Sequence, residues 1–119
     1  LVFDAIHREV QHQISLSSNP SHIVVLGDLH NTSKQWNAYS LNDLLLLSQP
    51  DSMRAMFEKH YPLTKLPQGK RVLVSFVFAS ADTKPGQVYH KIEHLLKDYL
   101  TSKGVEVEIC SSFNEISGL

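Results

Sequence analysis

Near the start of the chain Val2, Ile6, Val10 and Ile14 recur at every fourth position, with Phe3 beside them and Arg8, Glu9 and Gln11 elsewhere around the wheel. This spacing predicts an amphipathic helix over residues 1–16. Ser17-Ser18-Asn19-Pro20 ends it, because the proline pushes residue 19 out of the helical region. Ile23 to Leu26 is an unbroken apolar run, mostly β-branched, the pattern of a short strand covered on both faces. A polar loop over 28–37 follows, interrupted by Trp36 and Tyr39, which suit satellite core, the preferred reading, or an exposed anchor for a partner. Ser40 with Asp43 three residues on forms a cap, and Leu41 with Leu44 to Leu47 makes a short buried helix. Pro50 opens a second, on which Met53, Met56 and Phe57 face inward, and His60-Tyr61-Pro62 closes it.

Beyond a connector over 63–68, Gly69 turns the chain into RVLVSFVFA, Arg71 to Ala79, apolar at nearly every position and therefore the expected centre of a sheet. The polar loop 80–86 leads to a helix over 87–102, which Gly104 terminates as a left-handed cap. In the last strand, Val105 to Cys110, apolar Val105, Val107 and Ile109 alternate with Glu106 and Glu108, so one face meets water and the strand belongs at an edge. Residues 71–110 thus read as a parallel strand-helix-strand crossover. The expected fold is a small three-layer α/β domain, with about three mainly parallel strands and helices on both faces.

At 119 residues the chain makes one domain, and 42% hydrophobic with 19% charged residues is ordinary for a globular protein. The formal net charge of -1, with basic residues scattered and Lys70-Arg71 their one adjacent pair, argues against nucleic acid and membrane surfaces as partners. A single cysteine, Cys110, forms no internal disulfide and points to a reducing, cytoplasmic setting. It shares a strand face with Glu106 and Glu108, which gives a thiolate no help, so it is expected to be inert. The chain opens on Leu1 rather than Met, as a segment of a longer polypeptide would.

His90-Lys-Ile-Glu-His94 carries the pattern H-x-x-E-H. On a helix, Val88, Ile92, Leu95, Leu96 and Tyr99 fall in one arc with Tyr89 and Leu100 at its margin, which places His90 and His94 toward solvent and Glu93 at the boundary. Together with Lys65-Leu-Pro-Gln-Gly69 before it and Gly104 to Ser112 after it, the stretch HKIEHLL resembles the inverted-zincin peptidases over the last half of the chain. That resemblance implies a zinc helix with His90 and His94 as ligands. The family inserts more chain between these elements and takes a third ligand from a downstream glutamate that this sequence lacks.

Val25-Leu-Gly-Asp-Leu-His30-Asn31 is similar to the first metal-binding motif of the calcineurin-type metallophosphoesterases, which implies Asp28 and His30 as metal ligands. The later motifs of that family are absent. Open parallel sheets bind ligands beyond the carboxyl ends of their strands, where one loop supplies Asp28, His30, Asn31 and Thr32 and the other Asp82, Thr83 and Lys84. Thr83 and Lys84 at a helix start suit a small anionic ligand, and Asp28 with Asp82 a divalent cation. The same residues also suit plain structural work, Asp28 or Asn31 in a turn and Asp82 or Thr83 as a helix cap.

With no complete catalytic set, the expectation is a non-catalytic ligand- or partner-binding module of a larger protein or complex, with a protein partner and no cofactor. A metal-dependent hydrolase is the alternative. His7, His12, His22 and His60 are dispersed and show no ligand spacing.

Overall fold

The structure, a computed structural model, describes residues 2–17, 19–27, 29, 35–37, 40–78 and 84–117, with the backbone alone at 41 and 84–86. In chain order the elements are α1 (Val2–Ser15), β1 (Ser21–Leu26), α2 (Leu41–Leu45), which runs into a 3-10 turn over Leu46–Ser48, α3 (Pro50–His60), β2 (Val72–Val77), α4 (Lys84–Ser102) and β3 (Glu106–Cys110). The three strands form one parallel sheet in the order β1-β2-β3. The small α/β domain, its parallel strands and its four helices are those the hydrophobic pattern predicts. No helix among the described residues is long and apolar enough to cross a membrane.

Side chains alternate along each strand, and the register sorts them into two faces. One carries Ile23, Val74 and Val107 in a row, with Val25, Phe76 and Ile109 in the next. Ile23, Val72, Val74 and Phe76 join a single core with Phe3, Ile6, Val10 and Ile14 of α1, Phe57 of α3, and Ile92 and Leu96 of α4. Phe57 binds the helices to one another: its ring meets Phe3 edge-on at 5.4 Å and stacks on Tyr99 at 5.3 Å. Burying three such rings stabilises the domain by several kcal/mol, with about 0.5–1.5 kcal/mol added by each ring pair. The Tyr99 hydroxyl donates to the Tyr61 carbonyl at 2.7 Å, and burial pushes its pKa up to about 12, so it stays a donor throughout the physiological range.

The four helices pack around the sheet, and residues from α1, α3 and α4 join one core cluster with the face that carries Ile23, Val74 and Phe76. Right-handed crossovers that step from β1 to β2 and on to β3 in the same direction leave their helices on the same side. The other face presents His22, Leu73 and Glu106 in one row, Val24, Ser75 and Glu108 in the next, and Leu26, Val77 and Cys110 in the third. β1 departs from expectation for the same reason: instead of being covered on both faces, Val24 is 41% and Leu26 59% exposed.

Local rules fix the element ends. Ser40 Oγ accepts from the Asp43 N–H, as the cap spacing predicts. Gly104, at φ 90°, lets the chain reverse after α4: its N–H donates to the Thr101 carbonyl and that of Val105 to the Leu100 carbonyl. Those are the paired bonds of a left-handed helix terminus, closed by a buried apolar residue just beyond it, here Val105. Trp36 is buried as expected, stacked on Phe3 at 5.6 Å with its indole N–H donating to the Asp43 carbonyl at 2.9 Å.

Phe57→Ala removes the ring on which α1 and α4 both rest. Its unfolding free energy, measured in urea, is expected to fall by about 3–5 kcal/mol, whereas a loss below 1 kcal/mol would mean that the helices hold together without it.

Candidate functional site

β1 and β2 are parallel neighbours that end together, Leu26 beside Val77. The chain therefore leaves both strands at the same edge of the sheet, the arrangement that brings strand-end loops into one crevice. The candidates on those loops, Asp28, His30, Asn31, Thr32, Asp82 and Thr83, lie outside the described residues, as does the side chain of Lys84, whose backbone begins α4. Leu29 and Trp36 between them are fully buried, so the core claims two side chains from a stretch whose composition reads as polar loop.

The H-x-x-E-H stretch lies on α4 with His90 and His94 exposed, as the wheel predicts. Glu93 is the surprise, at 1% exposure. Tyr89, Leu96 and Leu100 are buried while Val88 and Leu95 are only partly so, so α4 is rolled away from the predicted arc toward Glu93. One carboxylate oxygen of Glu93 meets His90 Nδ1 at 3.3 Å, and the other has no hydrogen-bond partner among the described residues. Among those residues no group of three His, Cys, Asp or Glu is placed to hold a metal ion. The imidazoles stand in solvent and the carboxylate inside, the reverse of a sheltered site whose ligands converge.

The sheet face turned away from the helices holds a constellation that sequence reading missed. His22 Nε2 lies 2.7 Å from Ser75 Oγ, and Ser75 Oγ donates to Glu108 Oε1 at 2.8 Å. These side chains span all three strands. Ser75 has one hydroxyl proton, and Glu108 takes it, so His22 must be the donor through Nε2–H. A nucleophilic triad runs the other way, with imidazole accepting the serine proton. Here the serine is fully buried and its proton is committed to a carboxylate, so the line acts as a polar clamp across the sheet. The sequence signal was Ser75 itself, a lone hydroxyl in a nine-residue apolar run, which must find a partner on an adjacent strand.

Glu108 Oε1 also accepts the Ser117 N–H at 2.9 Å. Hydrogen bonds from Ser117, through side chain and backbone, and from Ser75 hold its pKa down to about 2. Cys110 is 4% exposed, and burial, reinforced by the charge of Glu108, pushes its thiol up, in keeping with the inert role expected of it. At the far end of this face Arg71 makes a two-pronged ion pair with Glu106 at 3.0 Å, exposed and of little energetic weight.

The remaining feature is the outer edge of β1. The Ser21 N–H donates to the Arg71 carbonyl and the Gly27 N–H to that of Val77. Odd-numbered residues thus address β2, and the backbone groups of His22, Val24 and Leu26 point outward, where no described residue bonds them. Beside this edge runs a groove of about 280 Å³ between β1 and α1, lined mainly by Val2, Ile6, Ile23, Val24, Val25 and Leu26.

The chain matches no protein-family model, no curated protein and no solved structure.

Two outcomes are expected. Glu93→Met exchanges a buried, half-bonded carboxylate for an apolar side chain of similar size, and thermal or chemical unfolding should show a gain of about 1–3 kcal/mol; a loss of stability would place a binding partner on the second oxygen. For Glu108, a carboxylate depressed in the folded state binds protons more weakly there than in the unfolded chain. Its stabilisation is complete above its ordinary value of 4.5 and is lost as pH falls toward about 2. Acid unfolding of Glu108→Gln should lack the part of the slope that wild type shows in that window.

Proposed function

We propose that the domain is a non-catalytic binding module that takes an extended segment of a protein partner as a fourth strand on the outer edge of β1. The observation that carries this reading is the coincidence, along six residues, of outward backbone donors and acceptors with an apolar groove walled by α1. Strand addition draws affinity from main-chain hydrogen bonds and specificity from pockets for alternate side chains. Natural sheets usually protect such edges with charge, proline or a bulge. β3 carries Glu106 and Glu108, whereas SHIVVL in β1 carries no acidic residue, lysine or proline. The fitting partner segment is extended and apolar at alternate positions.

Amide hydrogen exchange tests it. In the isolated domain His22, Val24 and Leu26 should exchange fast while Ser21, Ile23 and Val25 are protected. In the assembly purified from its native source the first set should become protected as well, and Val24→Pro should abolish assembly without unfolding the domain. A lone monomer in both settings overturns the reading.

A second reading rests on the shared edge at which β1 and β2 end. Asp28 and His30 would hold a divalent metal there, and Thr83 and Lys84 a small anion, as in a metal-dependent hydrolase. Calorimetric titration with Zn or Mn should then show tight uptake that Asp28→Ala removes, and no uptake by the wild-type chain would dispose of it.

A further inference from the structure

The chain after β3 turns back on itself. Ser111 donates to Glu115 from its backbone N–H at 2.8 Å and from its hydroxyl at 2.7 Å, shaping a 3-10 turn over Phe113–Glu115. Two residues later the Ser117 N–H reaches Glu108, which stands beside Ser75 on the helix-free face. Residues 111–117 therefore arch back over the end of β3, with Cys110 at the base of the arch.

We propose that residues 111–117 form a displaceable strap, latched by Glu108, that opens and closes over the Glu108 and Cys110 corner of the helix-free sheet face while the rest of the domain stays folded. Three observations support it. None of the strap's side chains is buried: Ile116 is half-buried and the others are exposed, Phe113 among them. Segments with few buried apolar contacts open at the low end of the stability range, independently of the core. The bonds that hold the strap converge on two carboxylates, and Glu108 keeps its charge at neutral pH. Finally, Glu108 has a second tie, to Ser75 in the central strand, so the latch stays in position when the strap lifts. A ligand offering a better donor than the Ser117 amide would displace the strap, and this device does not depend on how the edge of β1 is used.

Cys110, the one cysteine of the chain, is buried where the strap begins, with its thiol on the latching Glu108 Oε1 at 3.7 Å, and serves as the probe of opening. Its reaction with a soluble disulfide reagent at pH 8 is followed in wild type, Glu108→Ala and Ser117→Pro. The proline removes the latching N–H without touching the sheet, and Ile116, at φ -66° and ψ 127°, already has the backbone a residue before proline adopts. Ser117→Pro should label about tenfold faster or more, the expected effect of losing a hydrogen bond to a charged group; Glu108→Ala should exceed that, because it also removes the charge that holds the Cys110 thiol up. In Ser117→Pro amide protection in β2 should be unchanged, whereas Glu108→Ala also strips the buried Ser75 hydroxyl of its acceptor. Labelling of Ser117→Pro at the wild-type rate overturns the strap, as does wild-type labelling that tracks global unfolding in urea. If Glu108→Ala fails to fold, Ser117→Pro decides alone.

Discussion

A parallel sheet whose strands follow one another in chain order receives all of its right-handed crossovers on the same side, and this geometric constraint shapes the rest of the molecule. One face of β2 rests on a layered aromatic core in which Phe3, Phe57 and Tyr99 tie the helices together. The other has no helix to rest on among the described residues. Six side chains of the central strand are nonetheless buried, so the far face must be satisfied by other means.

Those means are polar. A serine in the middle of a buried strand requires a partner, and Ser75 finds two by reaching across both neighbours, to His22 and to Glu108. The result resembles a catalytic alignment in composition only. Hydrogen-bond direction separates the two cases: a hydroxyl already donating to a carboxylate cannot also donate to an imidazole, so His22 donates to Ser75 instead of accepting from it. The same carboxylate then gathers the segment after β3, so one side chain coordinates strand, strand and strap. The outer edge of β1 sets exposed apolar side chains beside backbone groups that no described residue bonds.

Much of this was legible. The four-residue spacing of α1, the buried run of β2, the Ser40 cap and the Gly104 stop are local signals, and local signals survive into the fold because tertiary contacts reinforce them. Three features were not legible, each for a physical reason. An unbroken apolar run looks the same whether a strand is covered on two sides or lies at an edge, so the exposure of Val24 and Leu26 was invisible. A wheel fixes which residues share a face but not how far the helix rolls, and a modest roll of α4 carried Glu93 from the boundary to the inside. The clamp depends on the register of strands more than 30 residues apart, from Ser75 to Glu108 and from His22 to Ser75, which no periodicity within one element encodes. The loop candidates from Asp28 to Thr32 and from Asp82 to Lys84 rest on strand direction alone, which the parallel register of β1 and β2 supports.

Trp36 has one more consequence. It is the sole tryptophan of the chain, it belongs to the long connection between β1 and α2, and it is wedged against Phe3 with its indole nitrogen tied to Asp43. The tryptophan fluorescence of the chain therefore arises from one dry, hydrogen-bonded site where the connection meets the first helix. Emission colour reads the seating of that connection, while circular dichroism reads the helices, so the two can be followed separately in the same cuvette.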